Sequence, residues 1–396
     1  MKKHIELSNK YSAKNYSPLD VVLTKGEGIY VWDTEGKKYT DMLSAYSALN
    51  QGHRHPKIIA AASKQMDSIT ITSRAFRNDK MGLFLEKICN LAGFDMGLPM
   101  NTGAEAVETA LKAARKWGEN IKKIPKNQSE IIVCDNNFHG RTISIVSFST
   151  QEQYRDGFGP HTPGFISVRF GSADAVQKAI TPNTCAILVE PIQGEGGVII
   201  PPDGYLKDLR RIADENNVLL MFDEIQVGLG RCGTMFAFQY EDTRPDVLIL
   251  GKALGGGVYP VSVVLSDAQV LGVFSPGDHG STFGGNPLGA AVAIASLDVL
   301  IDERLAENAR EVGGYFVQKL KALGSPAINE IRARGLMIGV QINREYGKAR
   351  DFCLKLMDEG LLCKDTHNNT IRFTPPLIIT KQDIDEIMKK ISKALS

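Results

Sequence analysis

Two unbroken apolar runs, Val218–Phe222 and Val247–Leu250, constrain the fold of this 396-residue chain most strongly. Runs of this length that are rich in leucine and β-branched residues are typical of strands buried on both faces, as in parallel sheets. The first run leads into Asp223 and the second, after one glycine, into Lys252. Because ligands gather beyond the carboxyl ends of strands in open α/β sheets, we expect this carboxylate and this amine to share one ligand.

An aspartate and a lysine in these positions suit the chemistry of pyridoxal phosphate (PLP). The lysine forms a Schiff base with the cofactor aldehyde, and the carboxylate keeps the pyridine nitrogen protonated. The alternative is an ordinary buried ion pair, which the two residues favour when they are considered alone. The choice between them therefore depends on the other motifs of the chain.

The composition predicts a globular protein of two or three domains, at about 150 residues per domain. Hydrophobic residues make up 43% of the chain, enough for a large core. A net charge of +1 gives no reason to expect a nucleic acid or a membrane surface as partner. The six cysteines include no C-x-x-C pair, which indicates reduced thiols in a cytoplasmic protein. No run reaches the roughly 18 apolar residues of a membrane span.

Strands and helices alternate through the middle of the chain. A strand at Cys185–Glu190, a helix at 204–216 and the run at Val218–Phe222 form a β-α-β unit. A further strand is predicted at 143–148, and residues 1–25 are expected to be irregular. The pattern predicts an α/β domain spanning residues 44–300.

The C-terminal third has a different pattern. Amphipathic helices are predicted near 303–323, 348–359 and 381–395, with short strands at 336–342 and 370–374. Residues 28–43 read as a hairpin that joins this part of the chain. We therefore expect a smaller, discontinuous α+β domain formed by residues 1–43 and 301–396.

The start of one helix suits an anion. Thr102 and Glu105 form a capping box, and the small residues Gly103 and Ala104 leave the first-turn N–H groups accessible to a phosphate. An ordinary capped helix that ends at Gly118 is an equally good reading of this segment. In the glycine-rich turn before a later helix, Ser281 and Thr282 are also candidate phosphate donors.

Two further loops and a predicted strand carry side chains suited to a flat ring and to carboxylates. Phe138 can stack on a ring, and the nearby Arg141 can bind a carboxylate through two hydrogen bonds. Glu195 lies in the glycine-rich stretch EPIQGEGG, and Arg372 lies in a predicted strand, IRFTPP.

Two other motifs are less persuasive. Gly228, Gly230 and Gly233 spell G-x-G-x-x-G, but the motif does not directly follow its strand and opens no helical pattern, which disfavours a nicotinamide cofactor. His53 and His55 have an H-x-H spacing, but no cysteine or carboxylate follows closely, so a metal site is disfavoured as well.

Taken together, six motifs resemble those of the class III (ω-)aminotransferases, PLP enzymes of fold type I. The resemblance covers roughly residues 16–376, with the motifs in the same order. It implies a large domain with a mostly parallel seven-stranded sheet, a smaller α+β domain, and a homodimer whose subunits share each active site. The motifs are NTGAEA, FHGRT, EPIQGEGG, DEIQVGLGRCG, DVLILGKALGGG and GSTFGGNPL.

The resemblance also implies a role for each matching residue. Lys252 is similar to the Schiff-base lysine and proton shuttle, and Asp223 to the partner of the pyridine nitrogen. Gln226 matches the residue that bonds the phenolic oxygen of the ring, and Phe138 the residue that stacks on it. The N–H groups of Gly103 and Ala104 match the phosphate site, which Thr282 of a neighbouring subunit completes. His139 stands where some relatives have tryptophan.

Within the family, Tyr16 and Tyr46 make the chain most similar to the branch that acts on ornithine and 2-oxoglutarate. Arg141 and Arg372 are then expected to hold the two carboxylates of the keto acid. For ornithine, which has one carboxylate, Glu195 covers the unused Arg372, since an unpaired buried charge is costly. A static Glu195–Arg372 salt bridge is the alternative. Acetylornithine or γ-aminobutyrate aminotransferase, and a PLP-binding protein without catalysis, are the alternative functions.

Overall fold

The protein is described here by a computed structural model that covers residues 1–367 and 369–395. The described residues form three sheets, one of seven strands and two of four strands. The strands are β1 (Leu23–Glu27), β2 (Tyr30–Asp33), β3 (Lys38–Asp41), β4 (Met96–Met100), β5 (Glu130–Cys134), β6 (Phe165–Val168), β7 (Thr184–Val189), β8 (Leu219–Asp223), β9 (Val247–Leu250), β10 (Ser262–Ser266), β11 (Ile328–Arg334), β12 (Met337–Ile342), β13 (Leu361–Leu362), β14 (Lys364–Thr366) and β15 (Thr370–Phe373).

Helices surround these sheets, and none among the described residues is both long enough and apolar enough to cross a membrane. They are α1 (Lys2–Tyr11), α2 (Ser44–Ser47), α3 (Pro56–Met66), α4 (Met81–Ala92), α5 (Gly103–Asn120), α6 (Ile143–Val146), α7 (Glu152–Arg155), α8 (Ala173–Ala179), α9 (Tyr205–Glu215), α10 (Ala268–Leu271), α11 (Pro287–Asp302), α12 (Leu305–Ala322), α13 (Ala349–Asp358) and α14 (Lys381–Leu395).

The seven-stranded sheet has the order β4-β10-β9-β8-β7-β5-β6. Only β10 runs antiparallel to its neighbours, so the sheet is mostly parallel, and the predicted α/β architecture of fold type I is confirmed. Every residue of β7, β8 and β9 is buried, because helices pack on both faces. Each fully buried Leu, Ile, Val or Phe side chain contributes roughly 1.5–3 kcal/mol to stability. This packing fixes the carboxyl ends of β8 and β9 side by side.

The two smaller sheets contain the N-terminal hairpin and the C-terminal third. The first has the order β1-β2-β3-β13, and its last strand brings Leu361–Leu362 parallel to β3. The second has the order β11-β12-β15-β14. The hairpin thus pairs with the C-terminal third. The division into residues 44–300 and residues 1–43 with 301–396 stays our proposal; Asn368 and Ser396 lie outside the described residues.

Three local predictions were wrong. Residues 143–146 form helix α6, not a strand: the Thr142 hydroxyl caps its first turn, and both sides of β5 are already occupied by β6 and β7. Residues 2–11 form helix α1, which buries no side chain and so has no apolar stripe to reveal it. Helix α5 continues through Gly118 to Asn120. A Cβ at 118 would lie 2.8 Å from the Cβ of Cys185, so the glycine allows close packing on β7.

The turn at α2 has an unusual backbone. All four residues, Ser44–Ser47, have positive φ angles between 47° and 71°, a left-handed conformation that costs roughly 1–2 kcal/mol per residue. Asp41 supports it: its Oδ1 accepts hydrogen bonds from the N–H groups of Leu43 and Ser44, and its Oδ2 lies 2.7 Å from Nε2 of His53. His53 therefore supports the turn that carries Tyr46. His55 instead lies 3.1 Å from Oε1 of Glu303, the residue that follows α11.

Candidate active site

A cavity of about 190 Å³ lies at the carboxyl ends of β8 and β9. Asp223 is the last residue of β8 and pairs in register with Ile249 of β9, three residues before Lys252. Six of the residues predicted from the sequence to bind a cofactor or react with it line this cavity together with Glu195. They are Gly103, Ala104, Phe138, Asp223, Gln226 and Lys252.

Lys252 is the amine of this cavity. Burial lowers the pKa of its side chain, although the charges of Glu195 and Asp223 oppose that effect. Its Nζ has no hydrogen-bond or ion-pair partner among residues 1–367 and 369–395. Its backbone has a φ of +45°, and strained conformations of this kind cluster at functional sites. A buried, unpaired amine with a lowered pKa is suited to react with an aldehyde.

Asp223 is held on both carboxylate oxygens. Oδ1 accepts a hydrogen bond from the N–H of Ile225 at 3.0 Å, and Oδ2 lies 2.7 Å from Nδ1 of His139. Burial by itself would lower the pKa of His139. The hydrogen bond and the charge of Asp223 raise this pKa by more than burial lowers it, so the net shift is upward. The His139 contact was not predicted, because 84 positions separate the two residues and no motif links them.

Glu190 is a second residue that sequence reasoning missed. It lines the cavity at the end of β7 and accepts hydrogen bonds from the N–H groups of Phe138 and Gly194. Burial raises its pKa to about 7, with Asp223 adding to the effect and His139 opposing it. The carboxyl group thereby ties the loop that carries Phe138 to the loop that carries Glu195. Its place at the start of EPIQGEGG was the available signal.

The start of α5 forms one wall of the cavity. The predicted capping box is present: Thr102 accepts from the N–H of Glu105, whose carboxylate accepts in return from the N–H of Thr102. Gly103 and Ala104 come next, and both line the cavity. Because their side chains are small, they leave the helix N-terminus accessible to a phosphate, and the helix dipole there favours negative charge.

Ser281 and Thr282 are not brought to this wall in their own chain. Neither residue lines the cavity. The Ser281 hydroxyl accepts a hydrogen bond from the Asn101 side chain at 2.9 Å, and Thr282 is exposed.

A second, wider cavity of about 500 Å³ adjoins the first and shares Phe138, Glu195 and Lys252 with it. It contains three more of the residues predicted to bind substrate: Tyr16, Tyr46 and Arg141. Tyr16 is 71% exposed at its mouth. The three shared residues place the second cavity between the first and the surface at Tyr16.

Arg372 is paired and Arg141 is not. Nη1 of Arg372, which is 1% exposed, donates to Oε1 of Glu195 at 2.6 Å and to Gln226 at 3.3 Å. Burial raises the pKa of Glu195, but the charge and hydrogen bond of Arg372, together with Gln226 and Lys252, outweigh burial and lower that pKa to about 2. Nε and Nη2 of Arg372 have no partner among the described residues. Arg141 forms no ion pair with any carboxylate among those described residues.

The sequence pattern of the family described as aminotransferase class-III matches residues 11–395. The chain belongs to the class III aminotransferase family. An ornithine aminotransferase from Brevibacillus brevis is 57% identical over 99% of this chain and 97% of its own length. An ornithine aminotransferase structure from Toxoplasma gondii, described with partial occupancy of PLP at its active site, has a TM-score of 0.97 and 43% identity over 100% of this chain and 94% of that one.

An acetylornithine aminotransferase structure from Elizabethkingia anophelis has a TM-score of 0.91 and 46% identity. The alignment covers 100% of this chain and 98% of that one.

Class III aminotransferases are PLP-dependent enzymes. A binding protein without catalysis is therefore set aside, and the cofactor expected from the sequence is confirmed. The cavity fits that cofactor: it has an unpaired amine, a carboxylate and a helix N-terminus free of bulky side chains.

Proposed function

We propose that this aminotransferase moves the δ-amino group of L-ornithine to 2-oxoglutarate. The products are glutamate and glutamate 5-semialdehyde, which cyclises to pyrroline-5-carboxylate. The observation that carries the proposal is the unequal state of the two arginines: Arg141 has no acidic partner among residues 1–367 and 369–395, whereas Glu195 neutralises Arg372. A site in this state accepts an amine donor with a single carboxylate.

Ornithine satisfies that requirement when its α-carboxylate binds Arg141. Tyr16 and Tyr46 hold the α-amino end, and the δ-amine then points towards Lys252. The Tyr46 ring lies 5.2 Å from the guanidinium carbon of Arg372, so the same side chain also covers the masked arginine. Recognition of the α end in this way excludes the α-amine from the reaction.

The keto acid needs both arginines, because it has two carboxylates. Nε and Nη2 of Arg372 are unpartnered donors that a second carboxylate can occupy once Glu195 moves aside. Glu195 lies on a glycine-rich loop and its side chain is 26% exposed, so the carboxylate can move from Arg372 into solvent. We therefore treat Glu195 as a movable cover and the static salt bridge as the alternative.

When bound, PLP supplies an electron sink for the carbanion formed at the substrate carbon. Lys252 would hold the cofactor and carry the proton, and Asp223 would keep the ring nitrogen protonated. Phe138 would pack on the ring, and Gln226 would bond its phenolic oxygen. These assignments are proposals, supported by the fact that all four side chains line one cavity.

The phosphate would bind the N–H groups of Gly103 and Ala104, and Thr282 would complete its site from a second copy of the chain, with Ser281 as a further candidate donor. Thr282 is exposed and lies outside both cavities of its own chain, so it is accessible to a second copy in a homodimer with shared sites. The six free, buried cysteines support the cytoplasm, a reducing compartment, as its location.

The test compares ornithine, N-acetylornithine and 4-aminobutyrate as amine donors at a fixed 2-oxoglutarate concentration. We expect ornithine to give the highest kcat/KM. When ornithine and 2-oxoglutarate are then varied together, the reciprocal initial-rate plots should be parallel, as a ping-pong reaction requires. N-acetylornithine is the competing donor, since an acetylornithine aminotransferase is also similar to this chain. A higher kcat/KM for N-acetylornithine, or intersecting lines, would overturn the proposal.

A further inference from the structure

Arg141 lies against the faces of two aromatic rings. Its guanidinium carbon is 4.2 Å from the centre of the Tyr154 ring and 5.6 Å from that of Phe138. The two rings meet edge to face, with their centres 6.2 Å apart and their planes at 79°. Tyr154 belongs to the short helix α7, whereas Phe138 and Arg141 share one loop after β5. The shorter contact, between Arg141 and Tyr154, therefore joins the loop after β5 to helix α7.

A ring face holds an arginine differently from a carboxylate. It attracts the flat face of the guanidinium and leaves the N–H groups at the edge free to bind a carboxylate through two hydrogen bonds. A carboxylate partner would occupy those N–H groups, as Glu195 does for Arg372. The ring also limits the conformations of a long side chain that is otherwise exposed in the cavity.

Resting on the proposed function, we propose that Tyr154 is a positioning residue that determines specificity for amine donors with an α-carboxylate. Its ring keeps Arg141 oriented across the 500 Å³ cavity, which Tyr154 itself lines. Tyr154 acts through Arg141 and has no part in the chemistry at Lys252. Its hydroxyl makes no hydrogen bond among the described residues, so the ring face is the part that matters.

The experiment uses two substitutions in the PLP-bound enzyme. Tyr154→Leu keeps apolar volume but removes the ring, whereas Tyr154→Phe keeps the ring and removes only the hydroxyl. We expect Tyr154→Leu to raise the KM for ornithine about two- to fivefold, the strength of an exposed cation–π contact, with little change in kcat. Tyr154→Phe should restore the KM to near the wild-type value.

A double-mutant cycle with Arg141→Met shows whether Tyr154 acts through Arg141. In that background, Tyr154→Leu should not lower kcat/KM for ornithine any further, and the dissociation constant of PLP should match in all four proteins. A fully additive loss, or weakened PLP binding that accounts for the whole effect, would overturn the inference and leave Tyr154 as packing for Phe138.

Two outcomes separate this inference from the proposed function. If the wild type does not use ornithine, the proposed function fails, and the cycle is repeated with the carboxylate-bearing donor that the enzyme prefers. If the wild type uses ornithine and Tyr154→Leu has an unchanged KM, only the role of Tyr154 is rejected.

Discussion

Glu195→Gln tests the proposed switch between substrates. Glutamine keeps the shape of the side chain but removes the charge that neutralises Arg372, so less energy is needed to move it aside before a second carboxylate binds. The pKa of Glu195 falls from the ordinary 4.5 to about 2. At 1.36 kcal/mol per unit, this net shift corresponds to about 3 kcal/mol of stabilisation of the carboxylate, to which Arg372, Gln226 and Lys252 all contribute against the cost of burial.

That energy limits the expected effect. Because Glu195 regains water when it moves aside, only part of the 3 kcal/mol opposes the dicarboxylate in the wild type. We expect the ratio of kcat/KM for L-glutamate to that for L-ornithine to rise about tenfold in Glu195→Gln, with a ceiling of a few hundredfold. Most of this change should come from a higher kcat/KM for glutamate, not from a lower kcat/KM for ornithine.

The assay follows the absorbance of the bound cofactor after rapid mixing with either amino acid, so each half-reaction is measured separately. Glu303→Gln is the control, since Glu303 pairs with His55 near the surface and outside both cavities. An unchanged ratio, or an equal loss for both amino acids, would refute the switch and favour a static salt bridge.

The difference in Tm between the wild type and Glu195→Gln should depend on pH. Because the folded-state pKa of Glu195 is lowered to about 2, the pair contributes its full stability above about pH 4.5 and loses it as the pH falls towards 2. The wild type should therefore have a higher Tm than Glu195→Gln at neutral pH, and the difference should shrink across that acidic interval. A difference that is the same at pH 7 and pH 3 would contradict this assignment.

Two further substitutions probe the site. A Cβ at Gly194 would overlap the side-chain oxygen of Gln226, so Gly194→Ala should displace Gln226 and lower turnover at least tenfold, as measured by steady-state kinetics. Gly314→Ala is the control: it meets nothing within 4 Å in α12 and should keep full activity with a slightly higher Tm. Tyr46→Phe should raise the KM for ornithine about two- to tenfold, because one hydrogen bond to the α end is lost; an unchanged KM would remove Tyr46 from substrate recognition.

The sequence was most informative where burial dominates. Strands β8 and β9 were predicted to within one residue, because a strand covered on both faces must be apolar throughout. The meeting of Asp223 and Lys252 followed from their place at two strand ends. Segment 143–148 shows the limit of this reasoning: its β-branched residues favour a strand, but the tertiary structure leaves no free position beside β5.

Contacts between distant residues were beyond the sequence. Nothing in the chain indicates that His139 bonds Asp223 or that Tyr154 covers Arg141, because both contacts depend on how loops cross the end of the sheet. The Glu195–Arg372 pair was anticipated only through the family resemblance and the charge balance of the two substrates. Its short distance and burial are properties of the folded chain.

The most direct test of the account is the identity of the amine that holds the cofactor. The PLP-bound protein is treated with sodium borohydride, which fixes the cofactor to its lysine, and the peptides are then mapped by mass spectrometry. We expect a stoichiometric label on Lys252 in the wild type and none in Lys252→Ala. A label on another lysine, or bound cofactor with no label at all, would contradict it.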